Sequence, residues 1–170
     1  MKLFASVVQP TLLYGCASWT MTRKRQATIR SLQRKMLRAV VGVRRQRLKQ
    51  DGETVLEDWV PWIQRAAGEA EKQRCQHHIP SWVEEISRRK FRWAGHVARR
   101  HDGRWTKVML EWSLAGWRQR GRPVSRWFDS INKYFGSLAG TSVGSSTWIS
   151  VARNRENWKQ IEDHYIPFCR

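Results

Sequence analysis

Apolar side chains along this chain recur every three or four residues far more often than every second one, which predicts helices rather than strands. In "TRKRQATIRSLQRKMLRAVVGV", Ile29, Leu32, Met36 and Val40 fall on one helical face, and Arg23, Arg30, Arg34 and Arg38 lie largely elsewhere on the cylinder. Thr22 suits the start of this helix and Gly42 its stop. In the stretch after Gln50, Asp51 or Thr54 is a candidate cap, and Pro61 predicts a break between two short helices unless it falls in a first turn. Ser81 and Glu84 have the spacing of a capping box. The helix they open carries Trp82, Ile86, Trp93 and Val97 on one face. Trp127, Ile131, Phe135 and Leu138 predict another helix, and Trp148, Val151, Trp158, Ile161 and Tyr165 a last one over about 147–165.

This pattern predicts an all-α fold of five to seven helices, in one irregular bundle or in two loosely joined helical subdomains. The segments 1–78 and 79–170 are the expected divisions, and the small residues of "GSLAGTSVGSST" predict a flexible loop at about 136–146.

Charge changes the picture. The 170 residues carry a formal net charge of +18, and it is segregated. Residues 1–50 hold twelve basic side chains and no acidic one; 51–85 hold three basic and eight acidic; 86–126 hold twelve basic and two acidic. Two cationic blocks around an acidic spacer predict a polyanionic partner, with nucleic acid first. No apolar run reaches spanning length and no secretory signal stands out, so no membrane role is expected. Cys16, Cys75 and Cys169 are too few and too scattered for a disulfide framework. Together these features predict an intracellular protein of nucleus or cytoplasm, not a secreted one.

Catalytic signatures are sparse. Two-metal phosphoryl transfer needs paired carboxylates, and this sequence has no Asp-Asp pair. Glu57–Asp58 and Glu162–Asp163 read as solvated surface charge. There is no phosphate-cradling glycine loop. Cys75, His77 and His78 cluster but lack a fourth zinc ligand at suitable spacing. No catalytic residue, metal site or cofactor is therefore expected. What remains is binding chemistry. "RRKFRWAGHVARR" (88–100) interleaves six cations with Phe91 and Trp93, and "GWRQRGRPVSRW" sets four arginines between two tryptophans. Arginine forks bind phosphate and aromatic rings stack on bases. Gly95 costs its helix about 1 kcal/mol relative to alanine, which predicts a close approach by another backbone. The candidate nucleic-acid contacts are Arg30, Arg34, Arg38, Arg44, Arg45, Arg88, Arg89, Arg92, Arg99, Arg118, Arg120, Arg122 and Arg126.

Five motifs in order resemble the C-terminal part of reverse transcriptases (RNA-directed DNA polymerases) of non-LTR, LINE-type retrotransposons. "PTLLYGCASWTMT" (10–22), with Tyr14, Gly15 and Trp19, is similar to the family's stretch just after the polymerase palm. "LQRKMLRAVVGVRRQ" (32–46) looks like the helix that follows. Residues 88–100 match Arg-Trp-x-Gly-His-x-x-Arg through Trp93, Gly95 and His96. "GRPVSRWFD" (121–129) matches through Pro123 and Trp127. "VARNRENWKQI" (151–161) matches a closing motif through Trp158, with Asn154 where the family often has Asp.

The resemblance implies a thumb and downstream linker that hold a template–primer duplex, RNA, DNA or hybrid. The catalytic palm, with its paired aspartates and Mg2+, is missing and would be a partner in a longer chain. Met1 would then be an internal methionine. Such a fragment is expected to hold nucleic acid without being an enzyme. The alternatives are a helical protein-interaction module and a non-functional retrotransposon relic.

Overall fold

The computed structural model describes residues 1–50, 53–100, 105–106, 126–139 and 146–169. The fold is all-α apart from one small hairpin. A π-helical turn (Phe4–Val8) leads into α1 (Gln9–Leu12), followed by a 3-10 turn (Cys16–Ser18) and α2 (Arg23–Val41). Strands β1 (Arg47–Gln50) and β2 (Glu53–Leu56) precede α3 (Trp59–Gln76) and α4 (Trp82–Ala98). Helices α5 (Asp129–Ala139), α6 (Ser146–Arg153) and α7 (Arg155–Phe168) complete the described elements. Among the described residues no helix is long and apolar enough to cross a membrane.

The chain divides into two compact units. The first comprises Met1–Tyr14 and Lys24–Trp82, the second Gly15–Arg23 and Val83–Arg170.

In the first unit, α2 ends where the sequence predicts. Gly42 takes the left-handed conformation (φ 66°) that terminates helices, and its N–H donates to the Arg38 carbonyl. The buried face of α2 differs from the expected one. Gln33 and Leu37 are buried, whereas Leu32 and Val40 are exposed. A glutamine can take a core position because both ends of its amide are satisfied: Nε2 donates to the Pro80 carbonyl at 2.9 Å and Oε1 accepts from the Trp82 N–H at 2.9 Å.

The hairpin was not expected. Its register pairs Arg47 with Leu56 and Leu48 with Val55, so Thr54 lies in a strand instead of capping a helix. Pro61 does not divide the next helix either. It occupies the first turn of a continuous α3, where an N–H would have no intrahelical acceptor. Phe4 stacks parallel on Trp82 with centroids 5.8 Å apart, and the unit also buries Leu13, Leu37, Ala66, Ala70 and Ile79.

The second unit is an aromatic core. Trp158 lies parallel to both Phe91 (3.9 Å) and Phe135 (5.7 Å), and Tyr165 stacks on Phe91 at 4.7 Å. Buried Ile131, Trp148 and Ala152 join the same cluster. Gly95 does admit a close neighbour, but the neighbour is an indole ring, not a backbone. A Cβ on Gly95 would lie 2.3 Å from Trp158 Nε1 and 2.6 Å from Cδ1. That indole N–H donates to the Phe91 carbonyl at 3.0 Å.

Two expectations need correction here. Residues 136–139 continue α5 and are not loop; 140–145 lie outside the described residues. The predicted last helix is two, because Asn154 interrupts it. Its Oδ1 accepts from the N–H groups of Glu156 and Asn157, both at 3.1 Å, and so starts α7. Asn and Asp cap helices about equally well, which explains why either residue suits this position.

The Gly95–Trp158 contact makes a sharp prediction. Gly95→Ala gains helix propensity but overpacks the indole, and overpacking of this kind costs about 1–3 kcal/mol. Urea denaturation should show a net loss for Gly95→Ala, relieved when Trp158→Phe is added. Additive destabilisation by the two changes would contradict a direct contact.

Candidate nucleic-acid interface

The arginines of the two units have different local fates. In the second unit, α4 places Arg88, Arg89 and Arg92 on successive turns beside two carboxylates. Arg92 meets both oxygens of Glu162, with Nε at 3.0 and 2.9 Å and Nη2 at 2.8 Å. Arg88 bridges Glu85 (3.0 Å) and Glu162 (3.5 Å). Arg89 pairs with Glu85 at 2.7 Å, and its charge also opposes the burial that raises the pKa of the Cys16 thiol. The Glu162 contact raises the pKa of the Arg92 guanidinium further. Arg99 donates to the Ala152 carbonyl at 2.8 Å, in the last turn of α6, where a cation also complements the helix dipole. These four candidate contacts are therefore engaged within the second unit, although the Arg92 side chain keeps 65% of its surface open.

Glu162 and Glu57 correct the reading of the two adjacent carboxylate pairs as solvated charge. Both glutamates are buried, while Asp58 and Asp163 are exposed. Glu57 accepts from Arg65 Nη2 at 2.5 Å and from the Gln46 N–H at 3.0 Å. The Arg65 hydrogen bond, followed by that of the Gln46 N–H, holds the Glu57 carboxyl below its ordinary pKa.

In the first unit, α2 carries its cations on a helix with no acidic residue, in a stretch (1–50) with none at all. Arg34 is exposed, with Nε 3.4 Å from the Arg30 carbonyl; Arg30 and Arg38 are half-buried, and Arg38 sits in the favourable last turn. Arg30 and Arg34 line an open groove of about 450 Å³ with Gln33, Arg74, Ser81 and Glu71. Glu71 is gripped by Arg74 at 2.7 Å. Past the helix, Arg44 is exposed, and the exposed Arg45 donates through Nε to the Glu57 carbonyl at 2.7 Å.

The remaining candidates scatter. Arg126 is exposed, and its N–H donates to Asp129 Oδ2 at 2.5 Å. Arg118, Arg120, Arg122 and Pro123 lie outside the described residues. The motif residues are mostly packing groups. Gly15 takes φ 65° to enter the 3-10 turn. The Trp127 indole donates to the Ala17 carbonyl at 2.6 Å, and Trp93 meets Trp127 edge-on at 5.1 Å. Tyr14 and His96 are exposed, and Trp19 is 36% exposed. No group of three or more His, Cys, Asp or Glu positioned for a metal occurs among the described residues.

Over 161 residues, 94% of its length, the chain is 31% identical to an uncharacterized transposon-derived protein of Caenorhabditis elegans. It spans 52% of that relative, about half its length. No protein-family model matches the chain, and no solved structure matches it significantly.

Lys90 was not singled out by sequence reasoning. It is 2% exposed, and its Nζ lies 4.9 Å over the Trp127 ring with no carboxylate in salt-bridge distance among the described residues. Burial lowers its pKa to about 8, against weaker opposing effects of Cys169 and Asp129. The signal that could have found it is its place in the 3.6-residue period, one turn before Ala94 and Val97 on the buried side of α4.

Because the folded-state pKa is depressed below 10.5, the cost of carrying this charge is fully present below pH 8. It fades as pH rises from 8 to 10.5. The shift corresponds to about 3 kcal/mol, which the Trp127 ring partly offsets. Lys90→Met should therefore raise the denaturation midpoint at pH 7, and the gap between variant and parent should close toward pH 10.5. A gap that stays constant with pH would show that the ammonium is not the cause.

Proposed function

We propose that this chain is a non-catalytic part of a retrotransposon reverse transcriptase and that it holds nucleic acid by its phosphate backbone. Transposon origin is supported by the likeness to a transposon-derived protein along nearly the whole chain. The narrower assignment, a thumb and downstream linker, rests on the five ordered motifs. The observation that carries the binding role is the first unit's cationic surface: α2 and the stretch after it present Arg34, Arg38, Arg44 and Arg45 with no acidic residue before position 51.

This reading relocates the main contact. The arginines of α4 already face Glu85 and Glu162, and a phosphate would have to displace those carboxylates. The α2 surface meets no such competition from its own helix. Backbone contacts of this kind position a duplex without reading its sequence. RNA, DNA and their hybrid are all acceptable partners, and the chain alone performs no strand synthesis. Any Mg2+ chemistry would belong to a palm supplied elsewhere in a longer protein.

The reading has a quantitative test in salt dependence. If about six phosphates are neutralised, affinity for a duplex should fall on the order of a thousandfold between 50 and 200 mM salt. Replacing Arg34, Arg38 and Arg44 together by Ala should reduce the slope of log affinity against log salt by about 3, with helical content by circular dichroism unchanged. A parent protein whose binding ignores salt, or a triple variant with the parental slope, would refute it.

A further inference from the structure

The described tryptophans divide by environment. Trp82, Trp148 and Trp158 are buried, Trp62 and Trp127 are half-buried, and Trp19, Trp59, Trp93 and Trp105 are exposed. Trp59, at the first position of α3, is 61% exposed although it belongs to a packed unit. It is not loosely held. Its ring lies 4.7 Å from that of Trp62 at 57°, and the Trp62 indole is fixed by donation to the Val43 carbonyl at 2.9 Å. One side of Trp59 is thus backed while the ring remains open to solvent.

The elements that adjoin Trp59 in sequence carry both apolar and cationic exposed residues. Val60, Leu56, Leu48 and Val55 are exposed, and Leu48 and Val55 form a cross-strand pair on one face of the hairpin. The stretch tied to this corner carries Arg44, Arg45, Arg47 and Lys49, all exposed. Two bonds anchor it: Trp62 to the Val43 carbonyl, and Arg65 Nη2 to the Arg44 carbonyl at 3.1 Å. Of the described acids here, Glu57 is neutralised by Arg65, which leaves the carboxylates of Glu53 and Asp58 against four cations.

An open aromatic ring in a unit whose adjoining stretch carries four exposed cations fits one class of polyanion better than others. In a duplex the bases are already stacked on each other and offer only phosphate to such a surface. A single strand offers both an open π-face and a backbone. We propose that Trp59 is a stacking platform for an unpaired base of single-stranded nucleic acid, with Arg44, Arg47 and Lys49 taking the adjacent phosphates. The inference rests on the nucleic-acid reading above and deepens it: the chain contacts a single-stranded extension as well as a duplex.

The test uses the full chain, a fluorescein-labelled single-stranded 12-mer of mixed sequence and a duplex of equal length, read by anisotropy. Trp59→Ala should weaken single-strand binding about fivefold to a hundredfold, the range of one aromatic–base stack, with the salt slope and duplex affinity unchanged. Trp59→Phe should retain most of the parental affinity. The inference is overturned if Trp59→Ala binds the single strand like the parent, or weakens duplex and single strand equally. It is overturned too if the substitution alters only self-association in sedimentation, which would make the patch a protein contact. A parent that binds neither probe defeats the broader reading as well, whereas salt-dependent binding untouched by Trp59→Ala defeats this inference alone.

Discussion

The second unit depends on an indole ring seated where a side chain is missing. Gly95 leaves its flank of α4 bare, and Trp158 fills it closely enough that a methyl group would collide. The indole N–H bonds to the Phe91 carbonyl, so the polar edge of the ring is satisfied inside an apolar cluster. Everything along the α4–α7 contact is then in register. One turn beyond Trp158, Glu162 arrives opposite Arg92 and Arg88; further along, Tyr165 stacks on Phe91 and its hydroxyl reaches Ser130 at 3.1 Å. The ion pairs follow from the aromatic seat. Partly exposed guanidinium–carboxylate contacts contribute little by themselves and could not select one register among several.

That register decides what a run of basic residues means. The sequence 88–100 looks like an electrostatic face, yet its arginines are drawn onto Glu85, Glu162 and the Ala152 carbonyl, and Lys90 is buried over an aromatic ring. The helix α2 has a similar density of cations but no carboxylate of its own. Charge density alone does not separate the two cases. The separation comes from Glu85 on α4 itself and from Glu162, which is distant in sequence and which only tertiary structure brings into place.

Much of the helical architecture was legible because it rests on local signals: the period of the apolar residues, Gly42 as a stop, Ser81 just ahead of α4. What could not be read depends on partners remote in sequence. Gln33 is buried because Pro80 and Trp82 supply its bonds, and the exposed Leu32 and Val40 are the converse. Glu57 and Glu162 looked solvated because the arginines that pair with them, Arg65 and Arg92, lie 8 and 70 residues away. Other features have local signals that compete with the ones weighed: Asp51-Gly52 between two short runs suits a hairpin as well as a helix cap. A proline at the third position of a helix needs no break, and an Asn ahead of Arg-Glu-Asn is a start signal in its own right.

The motifs that carry the family resemblance turn out to be largely structural. Gly95 and Trp158 are two halves of one contact, Trp127 holds the 3-10 turn inside the second unit through Ala17, Gly15 supplies a left-handed residue, and Asn154 caps α7. A likeness resting on these residues speaks to how the chain packs, because each has a geometric job that few other residues perform. It says much less about what the surface binds. Function has to be argued from the groups that packing leaves over: the cations of α2 and the stretch after it, and the open ring of Trp59. Trp59 lies outside all five motifs, and the cations, although several fall within the motif over 32–46, are not among the residues that packing fixes.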